Sequence, residues 1–251
     1  MARAFEAPAE LSVYWADATQ GAHLAALLDG AEHERLSALQ STSLRHQFVS
    51  AHALTRLALA ECTGLDATQL SFRARCQVCG GPHGKPELSV DGPRPYFSLA
   101  HSAGRVVVVT SFAGPVGIDV EAIGNTGFAG FDDLALTDHE RRSLHALPSS
   151  DQARNRATYW TRKEAVLKAT GAGLAVSPLE LVVSAPTDPA RLLEWTCART
   201  PRPAVHLTDL DVGTEHAACV AVIATEEVAL SARPADAWLA AWAPGARTAT
   251  R

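Results

Sequence analysis

The longest run of consecutive Val, Leu or Ile in this 251-residue chain is four residues, Val106 to Val109, and it bounds the fold from both sides. Four apolar residues fall far short of the roughly 20 needed to cross a bilayer, so no membrane segment is expected. Consecutive β-branched residues without polar alternation read instead as a buried strand. Tyr96 to Ala100 reads as a second β-like run, and a turn at His101 to Gly104 separates it from Arg105 to Phe112. The order helix, loop, valine-rich strand then recurs: Cys219-Val220-Ala221-Val222-Ile223 follows His216 much as the valines follow His101. That echo hints at duplicated α+β halves.

The helices of the first half are expected between Gly30 and Gly64, where Leu36 and Leu39, then Leu44, Phe48, Ala51, Leu54 and Ala58, recur at three or four residues. Gly114-Pro115 punctuates the chain. Val116 to Val120 then reads as a strand delivering Asp119 and Glu121 at its end, which divides the chain into 1–113 and 114–251. Residues 122–136 read as a mobile loop. Helices are expected over Asp138 to Leu147, capped by Thr137 with Glu140 three residues on, and over Asn155 to Thr170, closed by Gly171. Short strands dominate the remainder.

With 47% hydrophobic and 20% charged residues the chain is an ordinary globule rather than a disordered one. Its 22 basic against 27 acidic residues argue against a general affinity for nucleic acid. Met1 to Leu11 lacks an apolar stretch of signal-peptide length, and an odd number of cysteines, Cys62, Cys76, Cys79, Cys197 and Cys219, fits free thiols in a reducing compartment. A cytoplasmic protein is expected.

Five constellations carry potential chemistry. Asp119 and Glu121 flank Val120 on a strand, so both carboxylates face one side, where their oxygens suit a hard cation such as Mg²⁺; an acidic-x-acidic pair is also common by composition alone. Glu164 and Lys168 are four apart on a helix, the spacing of a solvated surface salt bridge, in the unusual context Tyr159-Trp160 before and Gly171-Ala172-Gly173-Leu174 after. Gly84-Lys85-Pro86 resembles a phosphate-binding fragment without being a Walker loop. Cys76, Cys79 and His83 offer three soft ligands where a structural zinc wants four, so a thiol-containing turn is the default. Ala100-His101-Ser102-Ala103-Gly104 imitates a serine-hydrolase elbow, but that motif needs a helix after the turn and a strand-like segment follows here.

In this order, Gly84-Lys85-Pro86, Phe97 to Ser102, Val116 to Glu121 and Trp160 to Lys168 resemble the phosphopantetheinyl transferases of the larger, surfactin-synthetase-type class. The resemblance covers about Arg35 to Leu174. It implies an α+β pseudo-dimer of two similar halves with the active site at their interface, the first half gripping the nucleotide and the second holding the carboxylates. It implies transfer of the 4'-phosphopantetheine arm of coenzyme A to a serine of an apo acyl or peptidyl carrier protein, with release of adenosine 3',5'-bisphosphate. Asp119, Glu121 and Glu164 would hold Mg²⁺, or Mn²⁺ in its place. Glu164, directly or through water, would take the serine proton, and Lys168 would assist the departing phosphate. Lys85, Pro86, His101, Ser102 and Lys168 would contact coenzyme A, with Arg35 and Arg45 as further phosphate contacts. The loop 122–136 would meet the carrier through Phe128, Phe131, Leu134 and Leu136, and the protein would act as a monomer. Ala100 stands where the family usually has Ser, and His52 where Arg is common. The alternatives are a non-catalytic coenzyme A-binding module of the same fold and a serine hydrolase using Ser102.

Overall fold

The computed structural model describes residues 10–19, 21–74, 80–81 and 84–244; Cys76, Cys79 and His83 lie outside them. Four layers stack as helix, sheet, sheet, helix. The first sheet has the order β11-β1-β5-β4, from β1 (Glu10–Asp17), β4 (Tyr96–Ser102), β5 (Arg105–Ser111) and β11 (Ala229–Pro234). The second has the order β6-β10-β9, from β6 (Val116–Ala122), β9 (Val205–Leu210) and β10 (His216–Ile223). Two short ribbons, β2 (Phe72–Ala74) with β3 (Pro86–Leu88) and β7 (Leu181–Val183) with β8 (Leu192–Trp195), lie outside both.

The four valines explain this layering. Val106 and Val108 belong to the core beneath the 22-residue helix α2 (Thr42–Thr63), against Leu54, Leu57 and Ala58. Val107 and Val109 point the other way, into a core shared with Ile118, Val120, Val220 and Val222 of the second sheet. A strand covered on both faces has no use for polar alternation. The β4–β5 turn is the two-residue Ala103-Gly104, both at positive φ (43° and 91°), the twist that a tight hairpin requires.

On the outer face of the second sheet lies α5 (Ser149–Thr170), also 22 residues long and, like α2, closed by a left-handed glycine, Gly171 at φ 70° against Gly64 at 72°. It starts six residues before Asn155, because Ser149 to Arg154 carry no apolar periodicity yet continue the helix. Between β6 and α5 the expected loop is ordered: a 3-10 turn at Ile123–Thr126, then α3 (Phe131–Ala135) and α4 (Asp138–His145). Thr137 caps α4 in a capping box with Glu140. Strand β11 returns to the first half's sheet beside β1, and α6 (Asp236–Ala241) packs its Leu239 into the core that holds α2 and α1 (Gly30–Ala38).

The two sheets meet at an edge formed by β4 and β6. Ser98 Oγ accepts a hydrogen bond from the Ile118 amide at 3.2 Å, and Ser102 Oγ accepts one from the Ala122 amide at 3.1 Å. The strands therefore run in the same direction across the seam. No helix among the described residues is long and apolar enough to cross a membrane.

Candidate active site

The acidic residues of β6 owe their position to a missing side chain. Gly117, Asp119 and Glu121 share the face of β6 that meets α5. A Cβ built on Gly117 would stand 2.1 Å from the Ala165 carbonyl oxygen and 2.3 Å from the Ala169 amide nitrogen. Only glycine lets the helix backbone lie on the strand, and this close approach brings Glu164 and Lys168 over Asp119 and Glu121. A lone glycine inside a strand, Gly117 here, is the sequence signal for such an approach.

Lys168 does not make the surface salt bridge with Glu164 that the spacing permits. Its Nζ donates to Asp119 Oδ1 at 2.7 Å and to the Ile118 carbonyl at 3.1 Å. Asp119 is buried, and its Oδ2 has no hydrogen-bond partner; leaving such an atom unsatisfied costs on the order of 1–3 kcal/mol. Burial pushes the Asp119 carboxyl up, Lys168 pulls it back, and Glu121 adds repulsion. Glu164 is raised as well, first by burial and then by Asp119 and Glu121, against the pull of Lys168. The three carboxylates thus share one electrostatic site, an arrangement that perturbs titration where chemistry is done. Among the described residues no three acidic, His or Cys side chains form a ready-made cation cage.

The basic side chains fall into two groups. His101, exposed at the end of β4, has its pKa lowered by desolvation and by the charges of Lys168 and His52. His52 Nδ1 lies 2.7 Å from Glu32 Oε1 and stacks on Phe48 at 4.1 Å, and Arg35 sits 5.8 Å over the same Phe48 ring. Beneath them the buried Arg56 holds Glu32 and Asp29. A basic line therefore runs from Arg35 through His52 and His101 to Lys168.

The remaining groups are engaged elsewhere. Arg45 Nη1 donates to the Leu36 and Leu39 carbonyls at 3.1 and 3.4 Å, closing the end of α1. Lys85 Nζ donates to the carbonyls of Val116 (2.6 Å), Lys168 (2.9 Å) and Ala169 (3.3 Å), and burial pulls its pKa down to about 8. Gly84, Lys85 and Pro86 line a cavity of about 780 Å³ beside Arg94, Tyr96 and the end of α5. Ser102 is buried, its Oγ accepting from Ala122 and from Asn125 Nδ2 at 3.0 Å. It lies in a strand–turn–strand, so the hydrolase elbow lacks its helix.

Of the four apolar residues in 122–136, Phe131 (7% exposed) and Leu136 (1%) belong to the core, whereas Phe128 (57%) and Leu134 (65%) face solvent. Phe131 packs edge-on against Trp160 at 5.4 Å. Lys163, fully buried, ties this segment down by donating to the Ala135 carbonyl at 2.8 Å and to Glu140 Oε2 at 2.6 Å. No local spacing could have shown that long-range pairing.

The family model described as the 4'-phosphopantetheinyl transferase superfamily matches residues 115–221, the segment that carries all three carboxylates and Lys168. Over 175 residues the chain is 29% identical to the 4'-phosphopantetheinyl transferase HetI of Nostoc sp., a match covering 67% of this chain and 70% of HetI. A Synechocystis sp. protein named for the same activity, slr0495, is 30% identical over 153 residues, 60% of this chain and 59% of that one. A holo-(acyl-carrier-protein) synthase from Bacillus anthracis, solved in complex with CoA (3',5'-ADP), is similar over 44% of this chain and 95% of its own, at 26% identity and a TM-score of 0.38.

Proposed function

We propose, from the match of residues 115–221 to the 4'-phosphopantetheinyl transferase superfamily model, that the chain moves the 4'-phosphopantetheine arm of coenzyme A onto a serine of an apo acyl or peptidyl carrier protein, releasing adenosine 3',5'-bisphosphate. The observation that carries the reading is the convergence of Asp119, Glu121, Glu164 and Lys168, with Asp119 Oδ2 buried and unpartnered.

The donor set fits Mg²⁺, or Mn²⁺: all-oxygen, anionic, mutually repelling and with one buried oxygen lacking a partner. Asp119, Glu121 and Glu164 would hold it, and when bound it would neutralise charge on the pyrophosphate. The protein's own groups do the rest. Glu164 accepts the proton of the carrier serine directly or through water. Lys168 offers its ammonium to the leaving phosphate oxygen. His101, with Arg35, grips the nucleotide phosphates along the basic line. Pro86 and Lys85 border the nucleotide from the neighbouring cavity, and Arg45 supports the Arg35 helix while adding positive charge.

The two 22-residue helices, each lying on a sheet and each closed by a left-handed glycine, support a pseudo-dimer with the site at its interface and a division between 1–113 and 114–251, from which β11 and α6 cross back to the first half. Exposed Phe128 and Leu134 support docking of the carrier at 122–136. The protein acts as a cytoplasmic monomer in this reading. The retained carboxylates weigh against a non-catalytic coenzyme A-binding module. A panel of apo carriers incubated with the protein, coenzyme A and Mg²⁺ tests the proposal by intact mass: one carrier must gain the phosphopantetheine arm, and a panel left wholly unmodified refutes it.

A further inference from the structure

We propose that Ser98 and Ser102 are positioning residues for the transfer, clamping the carboxylate strand β6 to the His101 strand β4; the inference rests on the transferase reading above. Among the described residues β6 is an edge strand, paired by backbone only to β10. Its other edge carries amides and carbonyls that need partners, and side chains supply them. Ser98 takes the Ile118 amide and Ser102 the Ala122 amide, so the two contacts bracket Asp119 and Glu121. Lys85 and Lys168 take the Val116 and Ile118 carbonyls.

The pattern follows from β-strand geometry. Ser98, Ala100 and Ser102 lie on one face of β4 and His101 on the other. The small Ala100 between the two serines packs in the core between the sheets. Ser102 also accepts from Asn125 Nδ2, and its carbonyl lies 3.1 Å from His216 Nε2, so one residue joins β4, the end of β6 and β10. Both serines are buried. Neither hydroxyl reaches Asp119, Glu121, Glu164 or Lys168, so the serines act by fixing where β6 sits relative to His101.

Transfer requires the carboxylates and the phosphate grip to hold one substrate in register, and a misplacement of about 1 Å costs on the order of 10²-fold in rate. The test measures carrier modification by the full-length wild type and the variants Ser98→Ala, Ser102→Ala, Ser98→Thr and Ser102→Thr. Each alanine variant is expected to lower kcat at least about tenfold with KM for coenzyme A within about threefold, and each threonine variant, which restores the hydroxyl, to recover most of the loss. Amide exchange at Ile118 is expected to quicken in Ser98→Ala and at Ala122 in Ser102→Ala. Alanine variants that melt lower but keep kcat assign the serines to stability alone, and a rise confined to KM assigns them to ligand contact; either overturns the inference. A wild type that modifies no carrier overturns the transferase reading and this inference with it, whereas an active wild type with indifferent serine variants overturns the inference alone.

Discussion

Gly117→Ala adds one methyl group and should damage both folding and turnover. The new Cβ would lie 2.1 Å from the Ala165 oxygen, and ordinary contact begins at 3.4 Å, so α5 must retreat from β6 by about 1.3 Å. Both partners are backbone, so no side chain can swing away. Overpacking of this kind costs about 1–3 kcal/mol, which for a chain of this size lowers Tm by about 2–12 °C. The same retreat separates Glu164 and Lys168 from Asp119 and Glu121, and a displacement of about 1 Å predicts a rate loss of about 10²-fold. The assay is transfer to an apo carrier followed by intact mass, beside thermal melts, with Gly30→Ala as the control because a Cβ there meets nothing within 4 Å. A Gly117→Ala protein with wild-type kcat and Tm would refute the claim that strand–helix contact sets the site.

Three further outcomes are expected. Turnover of the wild type should fall as pH drops into the carboxylate range, because Glu164 must be ionised to accept a proton; Glu164→Gln should lose ~10²-fold or more along with that limb, Lys168→Met should be slowed, and an unchanged profile in Glu164→Gln removes it as the base. Glu32 is pushed up by burial but pulled further down, by His52, the Asp29 amide and Arg56, from 4.5 to about 2; it releases its proton more readily folded than unfolded, so its stabilisation, about 3 kcal/mol, is complete above pH 4.5 and is lost as pH falls toward 2. Melts of Glu32→Gln should therefore differ most from wild type above pH 4.5 and converge in acid, and parallel curves would contradict this. Phe128→Asp and Leu134→Asp should raise KM for the carrier and leave that for coenzyme A unchanged, whereas Phe131→Asp should lower Tm; equal effects on both substrates would place the docking surface elsewhere.

Local pattern was enough for the paired helices, the valine strands and the acidic pair, because their signals are periodicity, β-branching and a two-residue alternation that survive without knowledge of neighbours. The strands β1 and β11 are not legible in the sequence: β1 becomes a strand by pairing with β5 and β11, and β11 by pairing with β1, and isolated sequence carries no register. The segment 122–136 read as loop because three glycines interrupt it, yet Phe131 and Leu136 are core residues held by the remote Trp160 and Lys163. The same limit applies to side chains. Glu164 and Lys168 are four apart and so read as a pair, but the buried Asp119 competes for the ammonium and wins it. Lys85, Arg45 and Ser102 read as ligand groups by type, and only the fold reveals the carbonyls and amides they already serve.

The most direct measurement of the central claim is a single-turnover experiment with an apo carrier that the wild type modifies. Phosphopantetheinylated carrier and adenosine 3',5'-bisphosphate are quantified together, with Mg²⁺ and with excess chelator, for the wild type and Asp119→Ala. The account predicts equal yields of the two products from the wild type with Mg²⁺, none with chelator, and none from a folded Asp119→Ala protein. Full yield from Asp119→Ala, or from the wild type in chelator, would contradict it.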